Sequence, residues 1–157
     1  MTFETRKMIP ADVPACLDII NPIIATGGTT AYEEPYTKKG FLDHYCNEPP
    51  VSNVVLYKGK VIGFQAAFEV EQGLFSVGTF TDRVNPARGA GAALMAKTKQ
   101  DCRAHGGTAI LAKITEDNTG ALAFYSKMGF EDFELEKVAH TRKSGKVVDK
   151  IIKRFKL

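Results

Sequence analysis

The sequence predicts an α+β fold, a mixed and mostly antiparallel sheet carrying helices on both faces, and three observations lead to it. Residues 51–84 alternate with a period of two. They are interrupted only by the short turns Lys58-Gly59 and Glu71-Gln72-Gly73, which joins three strands as an antiparallel meander. Thr108–Ile114 is a short continuous apolar run between two helical segments, the pattern of a buried strand lying parallel to a neighbour. The chain closes on a further hairpin, Phe130–His140 and Val147–Phe155, around the basic loop Thr141–Lys146.

Taken in order, Phe3–Met8 alternates enough to form a strand, and Ile9-Pro10-Ala11-Asp12 stops it. Asp12 is placed to cap a helix that tolerates Pro14 in its first turn. Val13, Cys16, Leu17, Ile20 and Ile24 keep the helical spacing of three and four until Ala25-Thr26-Gly27-Gly28 ends it. Thr37 can cap a short helix with Phe41, Leu42 and Tyr45 on its apolar face, stopped by Asn47-Glu48-Pro49-Pro50. The meander strands are Val51–Tyr57, Val61–Val70 and Leu74–Val84. A helix follows Pro86–Gly91 and ends at His105-Gly106-Gly107, where Gly106 suits a left-handed stop. Asn118–Met128 is the last helix, stopped by Gly129. The order is strand, two helices, three strands, helix, strand, helix, two strands, with one strand–helix–strand crossover.

At 157 residues, without internal repeat, low-complexity tract or linker, the chain reads as one domain spanning 1–157. Hydrophobic residues at 44% and charged residues at 25% are ordinary for a globular protein. A formal charge of +3 is too small to argue for a nucleic-acid partner, yet it favours an anionic ligand where basic side chains cluster. Cys16, Cys46 and Cys102 are odd in number and widely spaced. They read as free thiols of a reducing compartment, neither a disulfide framework nor a metal site. No stretch has the length of a signal peptide or a membrane span, so the expectation is a cytoplasmic protein with no membrane partner. His44, His105 and His140 lack metal-ligand spacing, and no metal is expected.

The most informative segment is Val84-Asn85-Pro86-Ala87-Arg88-Gly89-Ala90-Gly91-Ala92-Ala93-Leu94, at the junction of a strand and a helix. Small residues from Gly89 to Ala93 leave backbone N–H groups uncovered, the helix start adds its positive dipole end, and Arg88 can add a point charge. The same pattern also serves a tight turn that packs a helix closely on a sheet. A second segment runs Asn118 to Phe130. Asn118 begins a helix, and Tyr125, two turns on, lies on roughly the same face. Alone they are a cap and a half-buried aromatic; together they can face one crevice, where a phenol can donate a proton to a leaving group.

Jointly the two segments resemble the GNAT superfamily of N-acetyltransferases. Arg88-x-x-Gly91-x-Ala93 resembles its pyrophosphate-binding signature, and Asn118 followed by Phe124-Tyr125-Ser126-Lys127-Met128-Gly129-Phe130 resembles its C-terminal signature. The strand–helix order is similar over essentially the whole chain. The resemblance implies a central seven-stranded sheet flanked by about four helices, with a V-shaped opening between the fourth and fifth strands, and acetyl-CoA as co-substrate. It places the cofactor contacts on Val84, Arg88, Gly89, Ala90, Gly91, Ala92, Ala93, Asn118, Ala121, Phe124 and Tyr125. Asn118 would orient the pantetheine arm, and Tyr125 would be the general acid.

A narrower resemblance begins at Asp18-Ile19-Ile20-Asn21 and Thr29-Thr30-Ala31-Tyr32-Glu33-Glu34-Pro35, which are similar to the phosphinothricin acetyltransferase-like branch. That branch acetylates small amino acids and analogues, and its members are commonly dimers, which makes a homodimer compatible with the resemblance. It often places a glutamate base in the fourth strand, where this chain has Thr79, with Asp82 the nearest carboxylate. The implied reaction is direct attack of a neutral amine on the thioester through a tetrahedral intermediate. The base is left open among Glu33, Glu34, Asp82 and water. Tyr32, Glu33, Glu34 and Arg142 are the candidate substrate contacts. Two other functions share these features: acetylation of a protein N-terminus or lysine, and a CoA-binding regulatory module without turnover.

Overall fold

A computed structural model of the chain, describing residues 2–157, shows seven strands and four helices in the expected order. The strands are β1 (Glu4–Lys7), β2 (Val51–Tyr57), β3 (Lys60–Glu71), β4 (Leu74–Thr81), β5 (Ala109–Thr115), β6 (Glu131–Thr141) and β7 (Val147–Lys156). The helices are α1 (Val13–Thr26), α2 (Lys38–Phe41, continuing as a π-helical stretch to Asn47), α3 (Ala90–Ala104) and α4 (Thr119–Lys127). One sheet holds every strand in the order β1-β2-β3-β4-β5-β7-β6, and only the β4–β5 pair is parallel.

Period-two alternation sends side chains to the two faces of the sheet, each with its own packing. Val54, Leu56, Phe64 and Ala66 pack under α1 and α2 with Cys16, Ile20, Phe41 and Tyr45. Val51, Ala67, Phe75, Ile110, Ala112 and Ile114 pack under α3 and α4 with Met95, Cys102 and Tyr125. Each core removes large side chains from water on its own face. That burial is what fixes the register, since a one-residue slip would exchange the two faces.

Two boundaries depart from the sequence reading. Asp12 does not cap α1 with its side chain. It sits in a 3₁₀ turn, and its carboxylate accepts from the Arg6 guanidinium at 2.7 and 2.8 Å and from the Ile9 amide at 2.9 Å, tying β1 to the turn. β4 stops at Thr81 instead of Val84 because Asp82 Oδ1 accepts from the amides of Val84 and Asn85 and bends the chain. Thr37 and Asn118 do cap α2 and α4, accepting from the amides of Gly40 and Ala121.

At the end of α3, two adjacent glycines do different jobs. Gly106 takes the left-handed conformation, φ 81°, that turns the chain out of the helix. Gly107 is needed for space: a Cβ there would lie 2.6 Å from the Cys102 carbonyl oxygen and 2.9 Å from the Phe75 ring. Gly107→Ala is therefore expected to lower stability by about 1–3 kcal/mol through overpacking. Urea unfolding checks this, and an unchanged midpoint would show that the junction has room.

Candidate active site

The site begins where two strands part. β4 and β5 pair only from Leu74–Ser76 against Ala109–Leu111. Beyond that, β4 stays with β3 as far as Thr81, and β5 stays with β7 as far as Thr115. Each strand follows its own antiparallel partner, so the twist of the sheet opens a wedge between them. A cavity of about 520 Å³ fills the wedge and passes from one face of the sheet to the other. Gly89, Gly91, Ala92, Asn118, Phe124 and Tyr125 line it on the α3–α4 face, and Ile23, Thr29, Thr30, Tyr45 and Phe68 on the α1–α2 face.

The start of α3 forms one end. Gly89, φ 96°, lets the chain turn into the helix, where the Ala90 amide reaches Ala87 O and the Ala93 amide reaches Gly89 O. The amides of Gly91 and Ala92 between them have no acceptor among the described residues. Two free N–H groups at a helix N-terminus, with Arg83 and Lys127 also in the cavity wall, make a cradle for an anion. Gly91 is small for a second reason as well: a Cβ would stand 2.7 Å from the Phe124 ring, so α3 and α4 could not approach. Ala121 lines the same wall. Ala90 and Ala93 turn inward against Val55, Ile62 and Leu94, while the side chains of Val84 and Arg88 are exposed on the turn. Those four do not line the cavity.

Tyr125 occupies the centre. Its ring is buried between Phe124 and Phe130, and its hydroxyl shares a hydrogen bond of 2.9 Å with Thr79 Oγ1. Thr79 in turn accepts from Gln65 Nε2 at 2.7 Å across the β3–β4 pair. Burial pushes the phenol up to about 12, partly offset by the Thr79 hydrogen bond, so it holds its proton at neutral pH. Thr79 is thus a partner of the phenol and cannot serve as a base. Asn118 Oδ1 is engaged in capping α4, which leaves its Nδ2 beside the cavity without a partner among the described residues.

The charged candidates lie elsewhere. Asp82, Glu33 and Glu34 do not line the cavity, nor does any other carboxylate among the described residues. Asp82 is occupied by its turn. Glu33 Oε2 accepts from the Lys143 amide at 3.0 Å, and Glu34 pairs with the Lys143 ammonium at 2.6 Å, so both bind the loop to the β6–β7 hairpin. Tyr32 stacks on Tyr36 at the surface, centroids 4.5 Å apart.

Arg142 corrects the sequence reading most sharply, because it is neither solvated nor free. It is 5% exposed and makes five hydrogen bonds: two to Asp117 and one each to Thr29 O, Thr30 O and Thr115 Oγ1. These hold the loop 27–37 on the rim of the cavity. Asn21 pins the other end of that loop through both its amide atoms to the backbone of Tyr36.

Sequence reasoning missed Gln65, Lys113, Arg83 and Lys127. Two of them left a signal: Gln65 is the only polar side chain in Val61–Phe68, and Lys113 the only charged one in Ala109–Thr115.

The sequence model of the Acetyltransferase (GNAT) family matches residues 22–130. No curated protein matches the chain in sequence. Solved structures with the same fold include the yncA protein of Salmonella typhimurium with its cofactor acetyl-CoA. Its TM-score is 0.88 at 14% identity, covering 100% of this chain and 95% of that one. A GNAT superfamily phosphinothricin acetyltransferase from Sinorhizobium meliloti, in complex with acetyl-CoA, gives 0.88 at 22% identity, covering 100% and 89%. The ribosomal-protein-alanine N-acetyltransferase of Brucella melitensis gives 0.87 at 20%, covering 98% and 99%.

The Arg142 anchor carries a prediction. The Arg142 guanidinium, bonded to the Asp117 carboxyl, holds that group well below the usual carboxylate range. A depressed carboxyl contributes stability above its unfolded pKa of about 4 and loses it as pH falls toward the folded value. Arg142→Met should therefore cost roughly 3 kcal/mol at pH 7 and about as much at pH 5, with the deficit shrinking below about pH 4. Denaturant unfolding at pH 7, 5 and 3 checks this. A deficit that does not shrink would assign the effect to packing of the arginine stem.

Proposed function

The chain belongs to the GNAT acetyltransferase family, and from that premise we propose that it transfers the acetyl group of acetyl-CoA to the primary amine of a small molecule, an amino acid or an analogue. One observation carries this reading: a cavity that crosses the sheet with an anion cradle on one face, a covered chamber on the other, and a protonated phenol between them.

The residues present fit acetyl-CoA. The free amides of Gly91 and Ala92, with Arg83 and exposed Arg88 nearby in sequence, suit a pyrophosphate at the start of α3. The Nδ2 of Asn118 is available to a pantetheine amide, and the edge of β4 beyond Ser76 has no strand partner on the cavity side. When bound, acetyl-CoA supplies the activated acyl group as a thioester. Tyr125 holds its proton on Oη, fixed by Thr79, and can give it up to a leaving group as basic as a thiolate. Cys16 and Cys102 lie in the two cores with thiols pushed up by burial, and no cysteine lines the cavity among the described residues. That favours direct transfer to the amine over an acyl-enzyme route.

With no carboxylate in the wall, removal of the amine proton falls to water. Holding the amine near the acyl carbon then contributes more than acid–base help. The loop 27–37, fastened at both ends, favours a small acceptor over a protein chain lying in an open groove. The Tyr125–Thr79–Gln65 chain supports turnover over a purely regulatory CoA-binding role. Unpaired Cys16, Cys46 and Cys102 support a reducing compartment such as the cytoplasm.

Ala92→Asp tests the cradle without disturbing the fold. An acid in the first turn of α3 should stabilise the helix by about 0.3–1 kcal/mol while repelling a phosphate. The variant is expected to keep its melting temperature and lose the upward shift that acetyl-CoA gives the parent. A shift of parental size would move the phosphate site elsewhere.

Tyr125→Phe removes one hydroxyl and keeps the ring. Turnover, read as thiol released from acetyl-CoA, should fall about 100-fold while acetyl-CoA binding stays near parental. Turnover within a factor of two of the parent would show that water protonates the leaving group.

A further inference from the structure

Lys113 is the one exposed residue in the otherwise buried run Ile110–Thr115 of β5. Along β5, Ile110, Ala112 and Ile114 face the α3–α4 core, so the alternation turns Lys113 and Thr115 to the opposite face. Thr115 confirms the direction, since its hydroxyl donates to Thr29 O on the loop that covers the α1–α2 side. Lys113 therefore lines the acceptor chamber and not the cradle at the start of α3. The same wall includes the aromatic residues Tyr45, Phe68 and Phe80, and Ser76. Its ammonium has no ion-pair or hydrogen-bond partner among the described residues. The Thr29 hydroxyl, in the same wall, is buried and has no partner among the described residues. Among the described residues no acidic side chain lines the chamber to balance the lysine.

Lys113 is exposed at the open side of the wall, and a cation with no acid beside it in the lining makes the potential of the chamber positive. A dicationic amine is repelled there. An amine whose carrier bears an oxyanion is attracted and oriented, with the charge-assisted hydrogen bond stronger than a neutral one. We propose that Lys113 selects the acceptor by binding its carboxylate. Lys113 is a specificity-determining residue, and the acceptor class is an amine that carries a carboxylate. This inference rests on the small-amine acetyltransferase reading and deepens it.

The test compares matched pairs that differ only by the carboxylate: leucine with isoamylamine, and phenylalanine with phenethylamine. Released thiol gives kcat/KM for the wild type, Lys113→Met and Lys113→Glu, and the thermal shift with acetyl-CoA serves as a control. The wild type should prefer the amino acid of at least one pair. Lys113→Met should lose at least tenfold in kcat/KM on that amino acid, mostly in KM, and change far less on its decarboxylated partner. Lys113→Glu should lose more on the amino acid and gain on a diamine such as putrescine. If the substitutions lower both members of a pair alike, or leave the amino acid unaffected, the inference is overturned while the small-amine reading stands. If neither member of any pair is acetylated although acetyl-CoA still shifts the melting temperature, the small-amine reading fails and the inference goes with it.

Discussion

The whole site depends on the parting of β4 from β5. Two parallel strands held side by side over their full length would leave a closed sheet with nothing between its faces. Here only three residues of each strand pair with the other, and beyond them β4 follows β3 while β5 follows β7. The antiparallel ladders on either side are long, and parallel pairing is slightly the weaker per residue, so the sheet yields at its one parallel seam. The cavity, the free edge of β4 and the approach of α3 and α4 from opposite banks all follow from that split.

Around the split, the protein distributes charge unevenly. Cations line the cavity at Arg83, Lys113 and Lys127, whereas the acids of the neighbourhood are engaged in holding loops. Asp117 and Arg142 form the strongest of these attachments. Thr115 shares in it, so the last residue of β5, the covering loop and the β6–β7 hairpin meet at one guanidinium. An arginine suits this place because its planar fork serves a carboxylate and backbone carbonyls together, which a lysine ammonium cannot do.

Much of the fold was legible because it is written in periodicity. The meander at 51–81, the parallel strand at 109–115 and the caps at Thr37 and Asn118 each depend on neighbours within a few residues. The backbone half of the site was legible for the same reason, since small residues at a helix start expose amides whatever surrounds them. The side-chain half was not. Glu33, Glu34 and Arg142 look like free charges in a polar loop, and only the meeting of segments more than a hundred residues apart shows them to be partners. Gln65 and Thr79 become meaningful only when β3 lies beside β4 and Tyr125 descends onto them.

By itself the sequence determined the order of the elements, the mixed sheet, the uncovered amides of the α3 turn and the pairing of Asn118 with Tyr125 on one helix face. These are consequences of local geometry, in which a residue's role is set by its spacing from its neighbours. The tertiary structure alone decided which charges point into the cavity. It took Asp82 and Arg142 out of the site and put Thr79 and Lys113 in, since a side chain's electrostatic role depends on what the rest of the chain places within a few ångströms of it.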